Sequence, residues 1–292
     1  MTDDTKRPSG EPAPVAPEGT WVPFPSSGED ARREVAKPRT PQTLSPTYRL
    51  AYDDPDFLTA EATRGVRLQL ELMKPEMVLA QAGILSTVVL FGGARIPEPG
   101  QAAWAARNEG QKARLEANSR YYDEARRFAA AASRHSANSS GGKEFVIVTG
   151  GGPGVMEAGN RGAADVGAVS IALNITLPHE QAPNPYATPE LCFNFHYFAT
   201  RKMHFLLRAK AMAIFPGGFG TLDELFEALT LIQTGRMARI PVILFGSEFW
   251  RRLVDFEFLA AEGTIAPEDI ELLTFVDTAE EGWDAIRAFY GF

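Results

Sequence analysis

Only one cysteine, Cys192, occurs among the 292 residues. Its solitude excludes internal disulfides and any CxxC metal site, and it fits a reducing cytoplasm. Beside aromatic residues in a predicted strand, Cys192 reads as a buried packing group rather than a reactive one. Histidines are also scarce: His196 and His204 fall on different predicted elements, and His179-Glu180 lacks the second histidine of HExxH, so no metal constellation is expected. No apolar run approaches the roughly 18 residues that a membrane span needs, and the acidic start Met1-Thr-Asp-Asp4 leads into no apolar stretch. Neither a span nor a signal peptide is expected. Positive charge is in deficit, with 29 Lys and Arg against 37 Asp and Glu, a net charge of −8. That balance argues against nucleic acid or an anionic membrane as partner, while a pocket with its own local field still accepts a small anion. Two motifs are missing as well. Without GxGxxG or GxxxxGK[ST], a nicotinamide cofactor or an ATP-hydrolysing engine is disfavoured.

What is present is unevenly spread. Nine of the 21 prolines precede residue 47, mixed with Ser, Gly, Glu and Arg, so residues 1–45 read as a disordered or loosely attached tail in which Trp21, Val22 and Phe24 are stray apolar residues or a docking patch. Residues 46–85 read as a helical extension, from the spacing of Phe57, Val66, Leu70, Met73 and Met77, interrupted near Pro75. From 86 to 292 strands and helices alternate. Strands are predicted at 87–91, 145–149, 168–175, 193–198, 211–215, 241–245 and 274–276. Helices are predicted at 102–133, 153–166, from 200, at 221–235, at 247–262 and from 279, with Ser133–Gly142 as an exposed loop. Such a series predicts an α/β fold, a Rossmann-like, doubly wound, mainly parallel sheet of about seven strands with helices on both faces. Ligands bind such sheets at the carboxyl ends of the strands, where the strand order reverses.

Three glycine-rich turns follow predicted strands: Gly92-Gly-Ala-Arg95, Gly150-Gly-Gly-Pro-Gly154 and Pro216-Gly-Gly-Phe-Gly-Thr221. The third hands a strand over to a helix. Glycines there let a ligand approach the backbone, and the free N–H groups of the helix start favour an anion, phosphate above all. Glu224 stands one helical turn further on, an acid/base group or, with Thr221, a capping box. In the second turn Pro153 suits a first helical position, and Glu157 is either an acceptor for ribose hydroxyls or a carboxylate that complements the helix dipole. Thr200-Arg-Lys-Met-His204 opens the helix before the fifth strand. Arg201 can fork onto phosphate or stack on a base, and Lys202 is a mobile point charge. Two cations at a helix start oppose its dipole, so an anionic partner or a solvent-facing pair is expected.

The string Pro216-Gly-Gly-Phe-Gly-Thr-Leu-Asp-Glu224, with the upstream pair Arg201-Lys202, resembles the PGGxGTxxE signature of the LOG (lonely guy) phosphoribohydrolases, often mislabelled lysine decarboxylases. The likeness runs from about Val88 to the C-terminus through Gly150–Glu157, Leu173–Pro178, Asn184-Pro-Tyr186 and Leu229–Gly235, strings similar to the longer bacterial branch. It implies hydrolysis of the N-glycosidic bond of nucleoside 5′-monophosphates, AMP or N6-substituted AMP, to free base and ribose 5-phosphate, without cofactor or metal. It also implies a cytoplasmic homodimer or assembly of dimers. Glu224 and Arg201 would be the catalytic pair. Gly217, Gly218, Gly220, Thr221, Lys202, Gly151, Gly152, Glu157 and Arg95 would bind the substrate. Gly93 departs from the family pattern, which usually has serine there, and removes a hydroxyl donor. The competing reading is a non-catalytic nucleotide or molybdenum-cofactor carrier on the same sheet, which has no use for Glu224. The decarboxylase label finds no pyridoxal-phosphate site, and Lys202 and Lys210 are Schiff-base candidates only by elimination.

Overall fold

A computed structural model of the chain describes residues 26–178 and 182–292. Trp21, Val22, Phe24 and the His179-Glu180 pair lie outside the described residues. Seven strands, β1 (Thr87–Phe91), β2 (Val146–Thr149), β3 (Ser170–Ile175), β4 (Cys192–Phe195), β5 (Ala209–Ile214), β6 (Val242–Phe245) and β7 (Leu273–Val276), form one sheet in the order β4-β3-β2-β1-β5-β6-β7. Every pairing is parallel. These are the seven strands that the alternation predicts. Their ends differ most at β4, which stops at Phe195 because the next helix already begins at Phe198.

The helices are α1 (Ser27–Val35), α2 (Pro55–Thr59), α3 (Arg64–Gln81), α4 (Glu109–Ala117), α5 (Arg120–Ser140) and α6 (Val155–Ala164), then α7 (Phe198–Leu206), α8 (Phe219–Gln233), α9 (Ser247–Leu253), α10 (Phe256–Ala261) and α11 (Ala279–Tyr290). Alternate residues of β1 serve opposite faces of the sheet. Val88 and Leu90 pack with Tyr122, Phe128 and Val155, whereas Val89 and Phe91 pack with Phe205, Leu225 and Trp250. Both faces are therefore covered by helices, which is why β1, β2 and β6 are buried along their whole length, whereas the edge strands β4 and β7 are partly exposed.

The chain divides into two compact units, Met1–Arg67 and Leu68–Phe292. In the described part of the first, α1 stands within the stretch whose composition predicts no structure. A reciprocal cap between Ser26 and Glu29 stabilises it, and none of its residues is buried. The stripe Phe57, Val66, Leu70, Met73 and Met77 is exposed, and α3 instead buries Pro75 and Leu79. Nor does Pro75 interrupt that helix, which runs unbroken from Arg64 to Gln81. Proline deprives the carbonyl four residues back, that of Glu71, of its helical donor, and His204 Nε2 stands 3.3 Å from that oxygen in its place.

Three further expectations are corrected. The helix predicted at 102–133 is two, because Asn108 caps α4 and a new helix starts at Arg120. Ser133–Gly142 is mostly helix: Ser133 and Ser136 are small enough to be buried in α5, which ends at the left-handed Gly141. The helix predicted at 247–262 breaks at extended Val254, after which Asp255 caps α10 through Phe258 N.

Candidate active site

The strand order reverses between β1 and β5, and there the turns after β1, β2 and β5 surround a cavity of about 650 Å³. The first and third turns are joined by backbone: Phe215 N donates to Phe91 O at 2.8 Å and Gly93 N to Pro216 O at 2.9 Å. The second is held from behind by buried carboxamides. Asn184 Nδ2 donates to Gly151 O and Gly152 O, and to Asn160 Oδ1, which also receives the Thr149 hydroxyl. Pro153 precedes the helix rather than opening it, since Gly154 is the N-cap of α6.

Of the residues singled out in the sequence, Gly152, Arg201, Gly218, Gly220, Thr221 and Glu224 line the cavity. Helix α8 begins at Phe219, two residues earlier than predicted, with Gly218 as N-cap and no side-chain cap. The Thr221–Glu224 capping box therefore does not form. Thr221 is buried with its hydroxyl against Gly217, where a Cβ would come within 2.1 Å of Oγ1, so only glycine fits behind the turn.

Glu224 is 5% exposed, and its Oε2 has no hydrogen-bond partner among the described residues. Burial, opposed by the charge of Lys202 and reinforced by that of Glu227, pushes its carboxyl up to about 7. Such a group exchanges protons near neutrality. Arg201, the one cation among the described residues lining the cavity, donates from Nε to Leu173 O at 2.7 Å and lies over the Phe205 ring at 5.2 Å. Burial lowers its pKa and the Glu224 charge opposes that shift, yet a guanidinium remains charged. Its two Nη groups are left as donors.

Other expected site residues stand elsewhere. Lys202 is removed from the cavity by Asp223 at 2.9 Å and Glu227 at 3.1 Å, which raise its pKa although burial works against the charge. The protein's own carboxylates thus supply the anionic partner expected at that helix start. Glu157 points toward α5, where it accepts from Tyr122 Oη at 2.7 Å, and Tyr122 in turn accepts from Arg161. Arg95 is exposed, and Gly151 and Gly217 support the turns from behind the lining. Lys210 pairs with Glu144, so neither lysine considered for a Schiff base lines the cavity.

The sequence reading gave Asn174, Phe193 and Asn194 no place in the site and took Cys192 for packing alone, yet all four line the cavity from β3 and β4. Asn174 Nδ2 donates to Cys192 Sγ at 3.2 Å and to Phe193 O at 3.1 Å. Burial pushes the Cys192 thiol up, so it is a poor nucleophile but a wall of the site rather than pure packing. All four lie within strands, where apolar periodicity gives no signal of a site.

A family model described as "Possible lysine decarboxylase" matches residues 156–286. Among curated proteins, the probable cytokinin riboside 5′-monophosphate phosphoribohydrolase LOGL3 of Oryza sativa subsp. japonica is 29% identical over 90 residues. That match covers 30% of this chain and 43% of the rice protein, less than half of its length. Among solved structures, the molybdenum cofactor carrier protein of Chlamydomonas reinhardtii is 16% identical with a TM-score of 0.44, over 71% of this chain and 99% of that one. The structure of TM1055 is 20% identical with a TM-score of 0.44, over 70% and 99%. Over residues 156–286 the chain is thus similar to the family described as possible lysine decarboxylases, and over 90 residues to a probable phosphoribohydrolase of the LOG type.

Proposed function

We propose that the protein hydrolyses the N-glycosidic bond of nucleoside 5′-monophosphates, with AMP or an N6-substituted AMP (a cytokinin ribotide) as substrate, to free base and ribose 5-phosphate. The observation that carries this reading is the buried, unpartnered Glu224 carboxyl, held near neutrality in the wall of the cavity that Arg201 also lines. A carboxylate so desolvated is costly and has no structural use in capping. A carrier would do better without it.

In this reading the 5′-phosphate sits at the start of α8, where Gly218 and Gly220 leave the backbone open and the N–H groups of Phe219 and Gly220 precede the first helical hydrogen bond. Phosphate binding energy then holds the ribose against Glu224. As the C1′–N bond breaks, its electron pair passes to the base, and positive charge spreads over C1′ and the ring oxygen. Ionised Glu224 stabilises that charge and takes a proton from the water whose oxygen bonds C1′. Arg201, held toward β3 by Leu173 O while α7 pairs with α8 through Lys202, serves the base half in this reading and stabilises the departing nitrogen. The departing base takes up one proton. Water is the only co-reactant, so the step requires no cofactor or metal. A cytoplasmic homodimer or assembly of dimers, with residues 86–292 as the catalytic domain, belongs to the same proposal.

Purified protein incubated with AMP, GMP, CMP, UMP and isopentenyl-AMP is expected to release base and ribose 5-phosphate, resolved by chromatography. Tight nucleotide binding without release from any of them would overturn the hydrolase reading in favour of a carrier of nucleotide or molybdenum cofactor.

A further inference from the structure

Helix α7 starts without a cap of its own, for Tyr197 at the N-cap position makes no side-chain capping bond. A carboxylate from α3 instead binds the chain where it enters the helix. Glu71 Oε1 accepts from His196 N at 2.7 Å, and its Oε2 accepts from Tyr197 N at 3.2 Å and from the Thr200 hydroxyl at 2.8 Å. The same residue reaches α7 a turn later through its backbone, where the carbonyl released by Pro75 stands beside His204 Nε2. Beyond the end of α7, Glu76 holds Arg208 by two bonds, one of 3.0 Å between Oε2 and Nη2 and a closer one between Oε1 and Nη1. Helix α3 thus grips α7 at its start, its middle and its end. Arg201 lies between the first two grips.

Three consequences follow for Arg201. A helix start carries partial positive charge, which opposes a guanidinium in the first turn, and the Glu71 carboxylate offsets it. Bonds from the His196 and Tyr197 N–H groups and from the Thr200 hydroxyl fix where the helix begins, hence the azimuth at which residue 201 leaves it. The neighbouring turn leaves little tolerance for error, because a Cβ at Gly150 would come within 2.7 Å of Arg201 Nη2. We propose that Glu71 is a positioning residue, which sets the guanidinium of Arg201 against the cavity by holding the entry to α7 from another helix. This inference rests on the role given to Arg201 above. It also gives residues 68–85 a part in the site, although none of them lines the cavity.

The test uses the full chain as wild type, Glu71→Ala, Glu71→Gln, Arg201→Ala and the double variant Glu71→Ala/Arg201→Ala. Hydrogen exchange of the 198–203 amides reads the grip without any substrate, while kcat and KM for AMP and the melting temperature read its consequence. Expected are faster exchange at 198–203 in Glu71→Ala and a loss in kcat/KM of about 10- to 100-fold, carried by kcat. Glu71→Gln, which keeps acceptor oxygen but not charge, should fall between, and it carries both readouts should the alanine variant fail to fold. On the Arg201→Ala background the same change should cost no more than about twofold, because coupled residues are not additive. A merely structural Glu71 would lower the melting temperature and cost the same factor on both backgrounds, which would overturn the proposal. So would wild-type exchange at 198–203 in the Glu71 variants. If the wild type hydrolyses no nucleotide, the functional reading fails by itself and the exchange measurement still decides for or against the grip.

Discussion

Gly150 and Arg201 are fitted to one another: a methyl group on the glycine would stand 2.7 Å from Nη2 of the guanidinium and 2.8 Å from Met156 Sδ. The second glycine turn is thus shaped by the side chain that it faces. Gly150 has no left-handed backbone angle, so alanine can adopt its conformation. Gly150→Ala is therefore expected to fold and to push Arg201 from its place, with kcat/KM for AMP falling about 100-fold. Steady-state kinetics beside a thermal melt check this, and full activity in a folded variant would refute it.

Glu224 ties stability and activity to pH in opposite directions. Folding raises its pKa from 4.5 to about 7, so between those values the native state binds more protons than the unfolded chain. Stability must then fall as pH rises through that window, by on the order of 3 kcal/mol at most. Glu224→Gln lacks this penalty. Its stability relative to wild type should increase from pH 4.5 to pH 7 and level off above, as denaturant titrations at several pH values would show; parallel curves would contradict the assignment.

Turnover should move the other way. If the ionised carboxylate does the work, kcat/KM rises with pH through about 7 in the wild type. Glu224→Gln should lose turnover by roughly 100-fold or more at every pH while still binding nucleotide. A flat wild-type profile between pH 5.5 and 8.5, or a fully active glutamine variant, would remove Glu224 from the mechanism.

Gly218 offers a probe of the phosphate end. A Cβ there meets no atom within 4 Å, and its φ of −99° suits any residue. Gly218→Ala should melt like the wild type yet raise KM for AMP by about 10-fold, since the added methyl lies where a phosphate would approach the helix start. Unchanged KM would relocate the phosphate.

Removal of residues 1–45 is expected to leave kcat and KM for AMP within about twofold. The described residues 26–45 bury no side chain, and the cavity is lined entirely from residue 91 onward. A large fall in turnover would show that the tail reaches the reaction.

Much of the frame was legible before any coordinates. Short apolar runs such as Thr87–Phe91 and Val242–Phe245, alternating with helical periods, predict the parallel sheet because strand and helix patterns are properties of neighbouring residues. Helix ends were less legible. Thr221 and Glu224 have capping-box spacing, yet α8 starts at Phe219, where the backbone can turn into helix directly from Gly218. Lys202 and Glu157 have the right chemistry in the right motif, but Asp223, Glu227 and Tyr122 claim them first. Those partners come from other helices, and nothing in the local spacing announces them.

By itself, then, the sequence determined the order of strands and helices and the three glycine turns that must end at one edge of a doubly wound sheet. It also set Glu224 and Arg201 in a pattern from which a nucleotide site is expected. Tertiary structure alone decided that Glu224 is buried with no hydrogen-bond partner for Oε2 among the described residues and that its carboxyl is pushed up to about 7, that Lys202 is paired with two carboxylates, and that Arg201 is held by Leu173 O on a helix whose entry Glu71 binds. The reason is physical. Periodicity and turn chemistry act between near neighbours in the chain, whereas desolvation and charge pairing depend on which distant groups folding brings together.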